Sequence, residues 1–247
     1  MALLKTTKLL KYFGSLACVY YVDLEFEEGR IYSIIGPNGA GKTSLLNLIS
    51  GHLAPSSGEI TFRDRKIDGL ESSQVSQLGI GRSFQLNNLF PALSVFENVR
   101  LAVQSRHPGR YNFFSNIGAY REVNEKADAI VDKIGLSPSS AKQAQYLSHG
   151  DKRLLEIGIA LATDPALLLM DEPTSGMAPE ETVMMLGFIR KLALEHTIIF
   201  IEHKMNIVMS ISDQVIVMNQ GRVIATGTPA AVQADPEVRR AYLGGID

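Results

Sequence analysis

The chain has 247 residues, 45% of them hydrophobic and 20% charged, with a formal net charge of −2, a pI near 6.2 and one cysteine, Cys18. That length supports one large domain, or a domain with a substantial insert, around a core of real size. The balanced charge shows no basic stripe and argues against nucleic acid as a partner, and a lone cysteine rules out a disulfide framework and suits a reducing cytosol.

No apolar run approaches the roughly 20 residues of a membrane span, and the start Met-Ala-Leu-Leu-Lys lacks the apolar region of a signal peptide. The expectation is a cytoplasmic chain that meets a membrane through other subunits. Residues 1–35 read as strands and turns, with Glu27-Glu28-Gly29 as a turn signal and Arg30–Ile35 as a buried, β-branched strand. Next comes Gly36-Pro37-Asn38-Gly39-Ala40-Gly41-Lys42-Thr43, a complete P-loop, and then a helix-spaced run from Lys42 to Ser50 that stops at Gly51. Glycines let successive backbone N–H groups converge on one point, and the helix start adds partial positive charge. Gly36 to Ser44 are therefore expected to hold a nucleoside triphosphate, with Lys42 on the β- and γ-phosphates and Thr43 on Mg²⁺.

Pro55-Ser56-Ser57-Gly58 is a turn into the strand Glu59–Phe62. Residues 86–146 then change texture, with helical spacing over Ser94–Val103 and Arg121–Ile134 and a mixed loop at 107–114 between them. They read as a mostly helical insert in an α/β core. Alternation resumes with a helix over Gly150–Thr163 and the strand Ala166–Met170. A helix after Pro179, the strand Thr197–Ile201 and a hairpin turn at Asn219–Arg222 follow. Strands alternating with helices imply a largely parallel sheet covered on both faces. The strand 167–170 runs into Asp171-Glu172. Adjacent side chains on a strand point to opposite faces, so Asp171 suits the second shell of Mg²⁺ while Glu172 suits polarising an attacking water.

Further motifs carry a resemblance. Leu147-Ser148-His149-Gly150-Asp151 is similar to a Leu-Ser-Gly-Gly-Gln signature, Gln85 follows Arg82-Ser83-Phe84 like a Q-loop, Ser175-Gly176-Met177-Ala178 is placed like a D-loop, and His203 closes a strand like a switch histidine. Over essentially its whole length the chain resembles the ATP-binding subunit of an ABC transporter. That resemblance implies an α/β P-loop NTPase core, mostly parallel with an N-terminal antiparallel β part, plus the helical subdomain insert at 86–146.

It also implies ATP and Mg²⁺ as ligands. Tyr12 would stack on adenine, Gln85 would join Thr43 and Asp171 at the metal, and Glu172 and His203 would act in hydrolysis together with Gln85. Ser148, His149 and Gly150 would face the γ-phosphate of a second ATPase subunit, in a homo- or heterodimer. Integral membrane permease subunits and, indirectly, a solute-binding protein complete the implied partners, with no nucleic acid. The sequence departs from the signature at His149 and at Asp151-Lys152. A carboxylate beside phosphate repels it, so either Lys152 and Arg153 offset Asp151 or Asp151 faces the partner domain.

The ending Ala241-Tyr242-Leu243-Gly244, the run Gly79–Gln85 and the loop at 105–120 resemble importers of branched-chain and other hydrophobic amino acids. Leu147-Ser148-His149-Gly150 is similar also to urea and short-chain-amide importers, and lipid or lipopolysaccharide export motors use comparable lone subunits. Near Asn87–Phe96, the side chains of Leu89, Phe90 and Phe96 either line a groove for a permease helix or form the insert's own core.

Overall fold

The computed structural model describes residues 2–83, 89–106 and 117–243. Two long strands, β1 (Ala2–Phe13) and β2 (Leu16–Glu27), pair antiparallel around Gly14, with irregularities at Thr6/Leu9, Leu9/Lys11 and Lys11/Tyr12. β4 (Ser57–Phe62) and the short β5 (Arg65–Lys66) extend this antiparallel sheet in the order β2-β1-β4-β5.

The second sheet is built from β3 (Ile31–Ile35), β6 (Ile80–Ser83), β7 (Leu167–Asp171), β8 (Thr197–Ile201), β9 (Gln214–Asn219) and β10 (Arg222–Gly227). Its order is β10-β9-β3-β8-β7-β6, parallel except for the β9–β10 hairpin. Every residue of β3, β7 and β8 is buried, as expected of strands covered on both sides.

Alternation along β7 sorts its side chains between two cores. Leu168 and Met170 join the helices on one face, while Leu167 and Leu169 meet β1, β2 and the helix after the glycine loop on the other. The helices are α1 (Lys42–Ile49), α2 (Ser72–Gln77), α3 (Val95–Arg106), α4 (Ile117–Lys133), α5 (His149–Leu161), α6 (Pro179–Leu192), α7 (Met205–Ile211), α8 (Pro229–Ala234) and α9 (Pro236–Leu243). The start of α3 is set by a Ser-x-x-Glu box. Ser94 Oγ accepts the Glu97 N–H at 3.1 Å, and Glu97 Oε2 accepts the Ser94 N–H at 2.8 Å. Val95, Val99 and Val103 of α3 pack with Val123, Ala127 and Val131 of α4 in the core shared with α5. Each of these valines stabilises the fold by roughly 1.5–3 kcal/mol relative to exposure.

The sequence expectations hold for the type of these elements and shift at their ends. α3 runs on to Arg106, and α4 starts at Ile117 rather than Arg121. α5 begins at His149, because the Ser148 hydroxyl caps it by accepting the Asp151 N–H at 3.1 Å. The three side chains expected near Asn87–Phe96 part company. Leu89 and Phe96 pack against the core, whereas Phe90 is 56% exposed. Asn87, Gln85 and the loop at 107–114 lie outside the described residues.

Candidate nucleotide-binding site

β3 delivers the chain into the glycine loop and α1 takes it away, so residues 36–44 curve around the end of the parallel sheet. Gly41 caps α1 at φ 98°, and a Cβ there would lie 2.1 Å from the Cys18 carbonyl oxygen. At Gly36 a Cβ would meet the Met218 carbonyl oxygen at the same distance. Only glycine permits this approach of three backbones. The loop is braced from outside by the β9–β10 turn, where Gly221 N–H donates to Ala40 O at 2.9 Å and Gly221 O accepts the Tyr20 N–H at 2.8 Å.

Lys42 is buried and folded back, its Nζ donating to Gly36 O at 2.8 Å and Pro37 O at 3.0 Å. Burial pushes its ammonium below the usual lysine range, against the pull of Glu172 and Asp171. The cleft above the loop has a volume of about 380 Å³. Its walls are Asn38 to Ser44 with Phe13, Leu16 and Cys18 on one side and Glu172, Ile201 and His203 on the other. This geometry brings Lys42, Thr43, Ser44, Glu172 and His203 together.

Tyr12, expected to stack on adenine, is not among the residues that line the cleft. The aromatic ring on the cleft is its neighbour Phe13, while the Tyr12 N–H donates to Ser56 Oγ at 3.0 Å on the side of the strand facing β4.

Glu172 follows β7 with φ 49°, a left-handed turn that costs a non-glycine residue roughly 1–3 kcal/mol. Its N–H is held by Ile201 O at 3.0 Å, and its Oε1 lies 2.8 Å from His203 Nε2. Asp171 points elsewhere and is buried, with Oδ1 lacking any hydrogen-bond partner. Burial raises its carboxyl above the usual range, opposed first by Arg82. Arg82, a residue whose role the sequence does not advertise, sits with Nη2 3.9 Å from Asp171 Oδ2. Its Nη1 donates to Asn47 Oδ1 at 2.6 Å and to Ser50 Oγ at 2.8 Å. It thereby ties β6 to α1 and to the end of β7.

The buried Asp171 Oδ1 without a hydrogen-bond partner, together with the hydroxyl oxygens of Thr43 and Ser44 on the cleft, is a donor set of the kind a hard cation such as Mg²⁺ takes. Among the described residues no group of three or more His, Cys, Asp and Glu side chains could hold a metal alone. Such an ion would therefore draw its remaining ligands from phosphate and water.

Ser148, His149 and Gly150 do not line the cleft. His149 Nε2 instead lies 3.0 Å from Ser175 O, and Gly150 and Asp151 line a separate cavity of about 390 Å³ with Met177, Glu181 and Phe188. Asp151 occupies the first turn of α5, where the helix dipole favours an acid.

A phosphate cradle, a left-handed acid paired with a histidine and a remote capped signature helix together define an ATP-binding cassette. A family model described as "ABC transporter" matches residues 19–175, and one described as "Branched-chain amino acid ATP-binding cassette transporter" matches residues 222–247. The chain belongs to the ABC transporter family, as an ATPase of that class. Within the family, it is 40% identical to the high-affinity branched-chain amino acid transport ATP-binding protein LivG of Salmonella typhimurium and 38% identical to BraF of Pseudomonas aeruginosa. Each of these matches covers 98% of both chains.

Among solved structures, a nucleotide-free ATP-binding cassette from an ABC transporter superposes with a TM-score of 0.86 at 31% identity, over 98% of this chain and 99% of that one. A dimeric cassette in a post-hydrolysis state bound to ADP and Pi superposes with a TM-score of 0.79 at 25% identity, over 92% and 98%. Among the described residues no helix is long and apolar enough to cross a membrane.

Proposed function

We propose that the chain is the Mg-ATP-hydrolysing subunit of an importer of branched-chain amino acids, working on the cytoplasmic face of a membrane through permease subunits. The observation that carries the mechanism is that Ser148, His149 and Gly150, the residues expected to cap a γ-phosphate, do not line the cleft, while Gly150 lines a separate cavity. A second ATPase subunit would supply the missing cap, so two ATP molecules close a dimer and hydrolysis reopens it.

In this reading Phe13 takes the stacking role on adenine, and Lys42 exchanges its two backbone carbonyls for β- and γ-phosphate oxygens. Thr43 and Asp171 would hold Mg²⁺, with Gln85 as a further ligand, and the ion would supply positive charge against that developing on the phosphoryl oxygens. Glu172 polarises the attacking water while His203 orients that carboxylate and reaches the γ-phosphate. Residues 86–146, expected from the sequence to be a mostly helical insert, would couple the nucleotide site to the permease through Gln85, and α3 and α4 supply its described helices. A solute-binding protein would deliver the amino acid from the far side. The solute follows from the match of residues 222–247 and the names of the relatives.

The test is Glu172→Gln, measured by light scattering with and without Mg-ATP. We expect a dimer that needs ATP and turnover reduced about 10²–10⁴-fold. A variant that turns ATP over normally would remove Glu172 from the mechanism. Uptake of labelled leucine and of labelled urea by cells lacking the chain separates the amino-acid reading from an amide importer.

A further inference from the structure

Glu202 is a buried carboxylate, 3% exposed, between the last residue of β8 and the switch histidine, and the mechanism above does not use it. Its oxygens are fully engaged. Oε2 accepts the backbone N–H of His203 at 2.7 Å and that of Lys204 at 3.2 Å. Oε1 accepts the hydroxyl of Thr174, itself fully buried in the turn that follows Glu172. The turn is closed by Ser175 N–H on Glu172 O at 3.1 Å and Met177 N–H on Thr174 O at 3.3 Å. On its other side the Ser175 carbonyl meets His149 Nε2 of the signature.

We propose that Glu202 is a positioning residue that fixes the backbone of His203 against the turn at 172–177, so that the His203–Glu172 pair and the signature residue His149 are registered on one rigid segment. The assignment rests on the reading of Glu172 and His203 as the catalytic pair. Two backbone donors and one hydroxyl converge on a single side chain, and no rotation of His203 about its own backbone is free while they hold. Misplacement of a catalytic group by about 1 Å can cost 10²-fold in rate. Closure of a dimer that moved the signature would reach the chain's own catalytic pair through His149, Ser175 and Thr174.

The role is one of geometry, so glutamine should replace glutamate. Its carbonyl can accept both N–H groups and its amide can donate to Thr174 Oγ1. The experiment measures Mg-ATP turnover and ATP affinity of the full chain, with any copurifying subunits retained, for Glu202→Ala, Glu202→Gln and Thr174→Val. We expect Glu202→Ala to lower kcat roughly 10- to 100-fold at unchanged ATP Kd, Glu202→Gln to keep at least a third of wild-type kcat, and Thr174→Val to lower kcat about threefold.

Hydrogen exchange over 202–206 should speed up in Glu202→Ala and stay near wild type in Glu202→Gln. If Glu202→Ala proves unstable, Thr174→Val carries the test, because it keeps both backbone bonds and removes only the tie to the turn; wild-type kcat in Thr174→Val then overturns the proposal. A Glu202→Ala variant with wild-type kcat, or a Glu202→Gln variant as impaired as Glu202→Ala, overturns the proposal. Glu172→Gln run in parallel separates the two readings. If it is inactive while Glu202→Ala is fully active, only the Glu202 assignment fails; if it is active, the catalytic pair itself fails and the assignment with it.

Discussion

At the scale of single residues, the aromatic on the cleft decides how the base is held. Phe13 is on the wall and Tyr12 is not, so Phe13→Ala should weaken ATP binding by the roughly 1–3 kcal/mol of a stacked ring, a several-fold to hundredfold rise in Kd, whereas Tyr12→Ala should leave Kd within about twofold. Titration with a fluorescent ATP analogue reads both, and the reverse order would restore Tyr12. The glycines of the loop make a second contrast. Gly39 has φ 78° with nothing within 4 Å of where a Cβ would sit, so Gly39→Ala costs only the roughly 1–2 kcal/mol of a left-handed backbone. Gly41→Ala must also push back the Cys18 carbonyl, and should lower the thermal midpoint further and abolish nucleotide binding. Equal midpoints for the two variants would mean that the loop yields easily at Gly41.

At the scale of elements, α5 carries a buried ion pair, Arg153 Nη1 to Glu156 Oε2 at 3.0 Å. Burial pushes the Glu156 carboxyl above its usual range, against the opposing pull of Arg153. The unfolded chain gives up this proton near about pH 4.3, and the folded chain holds it to higher pH. Between those two values the native state binds more protons, so the contribution of Glu156 to stability falls as pH rises through the window. Glu156→Gln should flatten that slope in denaturant titrations between about pH 4 and neutrality, and a steeper slope in the variant would contradict the assignment.

Elements also show what the sequence made legible. The glycine loop, the strand into Asp171-Glu172 and the helices from 95 and 149 depend on local spacing, and each lies within a few residues of its expected place. Phe13 was hidden because Tyr12 and Phe13 are adjacent aromatics, and the resemblance that pointed to this stretch does not say which of two neighbouring rings reaches the cleft. Glu202 was hidden because an acid at the end of a strand looks like a solvated surface residue until Thr174, distant in sequence, is seen beside it. Arg82 was hidden for the same reason, since its partners come from two segments far from it in sequence, Asn47 and Ser50 at the end of α1 and Asp171 at the end of β7.

At the scale of the whole molecule, the antiparallel sheet and the hairpin β9–β10 are more than a platform. They press on the glycine loop from two sides, through Cys18 and through Met218 and Gly221, while β3 lies between β8 and β9 in the sheet. That arrangement has a consequence for synthesis. The loop is made early, but Met218 and Gly221, which brace it from the side of β9–β10, arrive roughly 180 positions later, about 10–35 s at roughly 5–20 residues per second. A chain arrested before Gln214 should therefore retain no nucleotide on a filter, and one released after Gly227 should retain it. Nucleotide can thus stabilise the newborn chain only once β9 and β10 have been made, and until then the apolar strands β3, β7 and β8 depend on other means to avoid aggregation.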